Sequence, residues 1–530
     1  MEPLSPFVTA LEEAATAYPE KVAFKLPVLK DKKIIQGWRD ITYKQTHDKM
    51  VGVARYWLKT LQLPPRSVVG LWLPGNSFSD MLHIFGIMKA GYIPHILLSD
   101  ITNLEVVRAL FKDTDCGAIL YTPSASGEGL SKDFVCHPIM DTEEIEISED
   151  SSIVIPFDSE SVLNEGDTVV IVHTSGSTSG RPKIVHIRQK WFEANHHKSI
   201  MRKPRSPVIP RLGTFSHIGQ LGAFLLYFTE TVCLVMLPWL DYSAQDIIQM
   251  YKECGLSHFL QYAPALSRTI RAAQQNPELR AILQTFPVLF YLGTSLPESD
   301  IEWCKQNDIR LKTALALTET GSLMVQSGDD PNILHIIKAE GCSYKMVPVD
   351  ADLDTSSDNS VTQSRLLELV VLSDSMDCPD PSHCDPVDGN FHTKDLFEEI
   401  NPGEYKYRGR HDDIMQMANS SKCDTKYIEE RVYTLCRDLV STCVVVGTQK
   451  PAPALVVEHM PVNLTEKELI QQLSERLASI NEGGYTHERI ASGRILVVSP
   501  GELPRTSTKR NVIREATEIK FRNQINALYA

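Results

Sequence analysis

Through its first four hundred residues the chain switches repeatedly between two hydrophobic periods, and that alternation limits the folds open to it. YKQTHDKMVGVARYWLKTL (Tyr43 to Leu61) spaces its apolar residues as a helix does, and SVVGLWLP (Ser67 to Pro74) follows as a buried-strand run. The pairing recurs as a helix near Asp80 to Ala90 with a strand at Cys116 to Tyr121, then a helix at Ala244 to Cys254 with a strand at Val288 to Leu292. Strands separated by helices favour parallel neighbours, because a parallel pair needs a long crossover. The expectation is an α/β fold built on largely parallel sheets, without solenoid repeats.

After about Gly409 the pattern changes. DTKYIEERVYTLC reads as a helix, STCVVVG and ALVVEHM as strands, and RILVVS (Arg494 to Ser499) as another strand. Thr465 and Glu468 have capping-box spacing ahead of a helix carrying Leu469, Ile470, Leu473, Leu477 and Ile480. At 530 residues the chain exceeds one core. The reading is a large N-terminal domain, residues 1–409, and a small α+β domain, residues 410–530.

A formal charge of −14 argues against a nucleic-acid partner. Eleven cysteines without repeated spacing suit reduced thiols and a cytoplasmic location. No secretory signal is visible at the start. GAFLLYFTETVCLVMLPWL, from Gly222, is interrupted by Glu230 and two threonines, so it reads as a buried helix plus strand and not as a membrane span. ADLDTSSDNSVTQS (Ala351 to Ser364) and SDSMDCPDPSHCDPVDG (Ser373 to Gly389) read as loops. The second holds Cys378, His383 and Cys384, but no second ligand pair with zinc-like spacing, so it is taken as an irregular surface loop.

Chemistry enters at VVIVHTSGSTSGRPKIV (Val169 to Val185). An apolar run breaks into TSGSTSGRPK, where seven of ten residues are Ser, Thr or Gly. Glycines let backbone N–H groups approach a ligand, hydroxyls add donors, and Lys183 adds a point charge, which together suit a polyanion. A flexible linker is the alternative, and the preceding strand weighs against it. Four further stretches follow in order: YLGTSLP (Tyr291 to Pro297), LALTETG (Leu315 to Gly321), FHTKDLFEEINPGEYKYRGRHDD (Phe391 to Asp413) and LPRTSTKRNVIR (Leu503 to Arg514). Each alone is weak.

As an ordered series they resemble the adenylate-forming superfamily of acyl-CoA synthetases, luciferases and nonribosomal-peptide adenylation domains, over nearly the whole chain. DLFEEINPGEYKYRGRHDD and SSKCDTKYIEERV further resemble the adenylation domains of fungal nonribosomal-peptide-synthetase-like carboxylic acid reductases. The resemblance implies a large N-terminal domain and a small mobile C-terminal one. It implies ATP and Mg²⁺ as cofactors, a carboxylic acid substrate, and transfer of the acyl group to the phosphopantetheine thiol of a carrier domain. Thr174, Ser175, Gly176, Ser177, Thr178 and Lys183 would hold the β- and γ-phosphates. Gly293, Thr294 and Ser295 would line the adenine and the acyl pocket. Thr318 would touch the α-phosphate and Glu319 would hold the metal. Asp395 would accept from the ribose hydroxyls with Arg410 beside it, Asp412 would be the hinge, and Lys509 the catalytic lysine.

Four departures from the family pattern stand out. Thr178-Ser179-Gly180 expands the loop by one residue, and Leu315-Ala316 replaces an aromatic-glycine pair near adenine. Thr393-Lys394-Asp395 sets a charge where glycine is usual, and Thr508-Lys509-Arg510 offers two basic candidates. They motivate a nucleotide-binding pseudoenzyme as the alternative of another class; a stand-alone aryl- or acyl-CoA ligase is the enzymatic one. There is no Gly-Gly-x-Ser carrier site and no GxxGxxG reductase fingerprint. The expectation is therefore either an excised adenylation domain, which is favoured, or a free-standing homologue, with the carrier domain outside the chain; a monomer is expected.

The acid is addressed by GTFSHIGQLGAF. Domains that select α-amino acids resemble one another in a Phe-Asp pair there, whereas this chain has Phe215-Ser216-His217. Serine cannot neutralise a buried ammonium. Phe215, Ile218, Leu221 and Phe224 would suit an apolar acyl body. His217 matches the histidine that aryl-acid and acyl-CoA enzymes place at the pocket, although a core histidine is the alternative. An acid without an α-ammonium is expected, with benzoic-type acids first.

Overall fold

The computed structural model describes residues 9–529 apart from 32, 99–100, 102, 124–126, 144, 146–152, 157–162, 175–181, 199–205, 350–365, 412–413, 419–421, 462–463, 484–488 and 506–511. The chain forms a large N-terminal α/β domain followed by a smaller C-terminal one.

Helix Tyr43–Leu61 begins where the Thr42 hydroxyl accepts from the Gln45 N–H and the Gln45 side chain accepts from the Thr42 N–H. Its buried stripe, including Met50, Val53, Ala54 and Trp57, packs against helix Phe78–Lys89. Gly86 permits that approach, since a Cβ there would come within 2.6 Å of Val53. The stretch from Gly222 divides as its threonines and Glu230 dictate, into helix Ile218–Thr229 and strand Cys233–Val235. Among the described residues no helix is long and apolar enough to cross a membrane.

Three sheets make up the larger domain. A six-stranded sheet runs Cys136–Pro138, Ala118–Tyr121, Val68–Leu73, Ile93–Leu98, Thr168–Thr174, Lys183–Arg188, with every neighbour parallel except the last pair. A four-stranded sheet joins Ile34–Thr42, Val22–Lys30, Cys233–Val235 and Val208–Pro210. The nine-stranded sheet is mixed: Phe259–Tyr262, Leu289–Leu292 and Leu311–Leu317 are parallel, and from Gly321 onward successive strands run antiparallel. The change of direction falls at the Thr318–Thr320 turn, too short to return the chain to the same end of the sheet.

Strands from Ile414 onward belong to sheets of their own, a pair Ile414–Gln416 and Lys422–Asp424 and a trio Val440–Val446, Ala454–His459 and Ile495–Val498. Their cores, around Val432, Leu455 and Leu473 and around Val446, Val456 and Phe521, draw among the described residues only on Met415 and residues after it. The Thr465–Glu468 capping box forms, with the Thr465 N–H donating to Glu468 Oε2 at 2.8 Å and the Glu468 N–H to Thr465 Oγ1 at 3.3 Å.

One loop differs from expectation. Within Ser373–Gly389, Asp385 to Gly389 are exposed as expected of a surface loop, but Ser375, Asp377 and Cys378 are buried. A buried lysine explains it, as described next.

Candidate active site

The phosphate-loop candidate hangs from the six-stranded sheet. Val170, Ile171 and Val172 are buried, and Thr174 ends the strand directly opposite Lys183, the first residue of the return strand. Antiparallel pairing thus closes the neck of the loop by backbone bonds. Lys183 is exposed and Thr174 half-buried. Ser175, Gly176, Ser177 and Thr178 lie outside the described residues, as do Asp412, Lys509 and Arg510.

Behind the neck lie two imidazoles, His95 buried and His173 half-buried. His95 Nε2 is 2.9 Å from His173 Nε2, and His95 Nδ1 is 2.7 Å from Thr114 Oγ1. The His173 ring also bonds the Ile96 backbone. With Nε2 engaged by His95, that bond falls to a protonated Nδ1. Protons therefore run one way, from the Thr114 hydroxyl to His95 Nδ1 and from His95 Nε2–H to His173 Nε2. Burial pushes His173 down to about 4, and burial with the neighbouring imidazoles holds His95 well below the usual range.

The second part is the hairpin turn carrying Thr318 and Glu319, both half-buried. Gly321 follows at φ 73°, and a Cβ there would lie 2.0 Å from Asn195 Oδ1. Asn195, on the helix after the phosphate-loop return strand, accepts from the Ser322 N–H at 2.9 Å and donates to the Thr320 carbonyl at 3.3 Å. Lys198 Nζ donates to the Ser322 carbonyl at 2.8 Å and pairs with Asp377 Oδ2 at 2.5 Å, both side chains fully buried. Tyr344 Oη donates to Asp377 Oδ2 at 2.8 Å, and the Ser375 hydroxyl bonds the other oxygen. Asp377 is thus buried because it neutralises Lys198, which braces the Thr-Glu turn from beneath.

Asp395 and Arg410 face each other across strands Phe391–Asn401 and Glu404–Arg410, with Arg410 Nη1 3.7 Å from Asp395 Oδ2. Tyr407 Oη donates to Asp395 Oδ1 at 3.1 Å. Lys394, where glycine was the family norm, adopts the left-handed conformation at φ 62° and is exposed. Its N–H donates to Glu368 Oε1 at 2.9 Å. Two strands, Ile333–Ile336 and Glu404–Arg410, stand between this carboxylate's strand and the one leaving the Thr-Glu turn.

Gly293, Thr294 and Ser295 follow strand Leu289–Leu292, beside the Thr318 strand and parallel to it, so both segments leave the same end of the sheet. Thr294 is exposed and Ser295 half-buried. The next parallel strand ends in Tyr262, which sequence reasoning missed. Tyr262 Oη is 2.7 Å from His217 Nδ1, with ring centroids 5.3 Å apart at 73°. The Gly219 N–H donates to the same nitrogen at 3.1 Å. The Phe215 N–H donates to the Gly75 carbonyl at 2.9 Å, which ties the segment to the carboxyl end of strand Val68–Leu73. Carboxyl ends of parallel strands are where open α/β sheets bind ligands.

The apolar residues expected around the acyl group are placed otherwise. Phe215, Ile218, Leu221 and Phe224 belong to the main core, where Phe224 packs on the rings of Phe85, Phe215 and Phe228 at 5.1–5.3 Å. Ile218, Leu221 and Phe224 lie three apart on helix Ile218–Thr229 as its inward stripe, and Phe215 just precedes it. Among the described residues no group of three or more His, Cys, Asp or Glu could hold a metal.

Comparison with known proteins agrees with this geometry. The AMP-binding enzyme model matches residues 11–353, and the AMP-binding enzyme C-terminal domain model matches residues 412–530. The AMP-binding domain-containing enzyme iboA of Amanita muscaria (strain Koide BX008) is 31% identical over 518 residues, covering 94% of this chain and 98% of that protein. ATP-bound MatB from Rhodopseudomonas palustris has the same fold, with a TM-score of 0.77 at 14% identity over 98% of this chain and 99% of that one. The anthranilate CoA ligase AuaEII, in complex with anthranoyl-AMP, superposes with a TM-score of 0.75 at 16% identity over 100% of this chain and 99% of that one. The chain belongs to the AMP-binding enzyme family of adenylate-forming ligases.

Proposed function

We propose that the chain activates a carboxylic acid lacking an α-ammonium, benzoic-type acids first, and passes the acyl group to the phosphopantetheine thiol of a carrier domain. The observation that carries the reading is the junction of the phosphate-loop and Thr-Glu elements, since Asn195 and Lys198 bond the backbone of the turn behind Thr318 and Glu319. A carboxylate oxygen attacks the α-phosphorus of ATP, the bond to the β-phosphate breaks, and pyrophosphate leaves. Two anions must meet, so alignment and neutralisation matter more than proton transfer.

In this reading Thr174, Ser175, Gly176, Ser177, Thr178 and Lys183 hold the β- and γ-phosphates, and Thr318 reaches the α-phosphate. Gly293, Thr294 and Ser295 line the adenine and the acyl group. Asp395 accepts from the ribose with Arg410 beside it, and His217 meets the substrate carboxylate. Lys509 brings positive charge to the α-phosphate, and Asp412 is the hinge about which residues 410–530 turn to admit the thiol. Mg²⁺ takes hard oxygen donors and keeps several waters, so one carboxylate beside phosphate oxygens suffices. Glu319, half-buried beside the Thr318 hydroxyl, fits that donor set. When bound, the metal offsets charge on the phosphates.

Ser216 supports the substrate class: its hydroxyl lies 2.8 Å from Thr214 Oγ1, where an ammonium-selecting enzyme would need a carboxylate. A second reading, a ligase using free CoA, draws support from the fold shared with the anthranilate CoA ligase. Acid-dependent pyrophosphate exchange across a panel of carboxylic acids tests the first step. Exchange with 2-aminoadipate and with no aryl acid would overturn the substrate class, and acyl-CoA formation from added CoA would select the second reading.

A further inference from the structure

We propose that Tyr262 is a positioning residue of the acid site, acting through His217 to present the imidazole as an Nε2–H donor to the substrate carboxylate. The proposal rests on the adenylation reading and adds to it a residue outside the sequence motifs.

The bonding at Nδ1 fixes the proton. A backbone N–H can only donate, so the Gly219 bond requires His217 Nδ1 to be an acceptor. The Tyr262 hydroxyl, at 2.7 Å from the same nitrogen, then donates as well. A neutral ring whose Nδ1 accepts carries its proton on Nε2. Burial raises Tyr262 well above the ordinary tyrosine range, which keeps the phenol a donor throughout physiological pH.

The ring of Tyr262 has little freedom to do otherwise. Its backbone ends a strand in register with Leu292 and caps helix Ala263–Gln275. Three glycines surround the side chain: a Cβ on Gly213 would lie 3.1 Å from the ring, one on Gly219 2.9 Å from the hydroxyl, and one on Gly293 3.3 Å from the ring. The backbone of the His217 segment and the turn after strand Leu289–Leu292 are therefore packed directly onto Tyr262. A rigid phenol between them couples the orientation of His217 to the Gly293 turn. A carboxylate needs a donor, and imidazole in the other tautomer would offer Nε2 as an acceptor, repelling the anion.

Tyr262→Phe tests this, because it keeps the ring and removes the hydroxyl. Imidazole ¹⁵N spectra of ligand-free protein, with His217 assigned through His217→Ala, should show the Nε2–H tautomer in the parent and, in Tyr262→Phe, the same tautomer held by the Gly219 N–H alone, with the Nδ1 resonance shifted by loss of the phenol bond. With the best acid of the panel, Tyr262→Phe should raise KM for the acid about tenfold and leave KM for ATP within twofold. In the His217→Ala background the same change should add less than twofold. An Nδ1–H parent, an unchanged KM for the acid in Tyr262→Phe, or equal losses in both backgrounds would overturn the proposal. If no acid supports exchange while the spectra show the expected tautomers, the adenylation reading fails and the hydrogen-bond wiring stands.

Discussion

Thr174 and Lys183 stand directly opposite each other as the last and first residues of two antiparallel strands. The loop between them is thereby anchored at both ends by a sheet, and the lysine's charge sits at its mouth. Because Lys183 is exposed, its removal should barely change stability, within about 0.5 kcal/mol. Lys183→Ala should raise KM for ATP roughly tenfold, about the 1.4 kcal/mol of one charge-assisted contact, and leave KM for the acid unchanged. Pyrophosphate exchange at varied ATP and varied acid measures both. A change confined to the acid would remove Lys183 from the phosphate site.

The brace beneath the Thr-Glu turn makes a stability prediction. Asp377→Asn leaves the Lys198 ammonium buried without its counter-charge, and breaking such a pair costs about 3–5 kcal/mol. Chemical denaturation should show a loss of that order. Lys198→Met together with Asp377→Asn should recover part of it, since no buried charge then remains. A single variant as stable as the parent would mean that the pair is hydrated in solution.

The His95–His173 dyad predicts a pH dependence. Both rings are neutral in the fold, with His173 held at about 4, whereas an unfolded histidine titrates near 6.5. Between those values the unfolded chain binds more protons than the folded one, so stability rises with pH across the window. The contribution is complete above about pH 6.5 and is lost as pH falls toward 4, roughly 3 kcal/mol for a single ring shifted this far. His173→Gln should flatten the stability profile between pH 4 and 6.5. An unaltered slope would show that the dyad does not set it.

What the sequence disclosed follows from distance along the chain. Local signals read correctly: the apolar period of Tyr43–Leu61, the Thr465–Glu468 box, and the break in the stretch from Gly222 into helix and strand are each carried by residues a few positions apart. Contacts between distant segments were invisible. Lys198 meets Asp377 across 179 positions, so an aspartate in a proline-rich segment looked like a surface residue. Tyr262 meets His217 across 45, and its only local mark is a strand end running into Ala263-Pro264. Phe215, Ile218, Leu221 and Phe224 carried their own warning, since three-residue spacing marks a core stripe before it marks a pocket.

The last prediction separates the two charges at the ribose motif. Lys394 carries its left-handed φ of 62° where glycine would be unstrained, yet its side chain is exposed. Lys394→Gly should therefore leave KM for ATP within twofold. Asp395 is different: it is buried, bonded by the Tyr407 hydroxyl, and 3.7 Å from the Arg410 guanidinium. An ionised carboxylate accepts strongly from a sugar hydroxyl, and a hydrogen bond to a charged group is worth about 1.5–3 kcal/mol. The parent should then prefer ATP over 2′-deoxy-ATP by about ten- to a hundredfold in kcat/KM. Asparagine keeps one acceptor oxygen but not the charge, so Asp395→Asn should lower the ATP rate and shrink that preference to a few-fold. The ratio is the useful readout, because a general disturbance of the strand would slow both nucleotides equally. A preference that survives in Asp395→Asn would place the ribose contact on another residue.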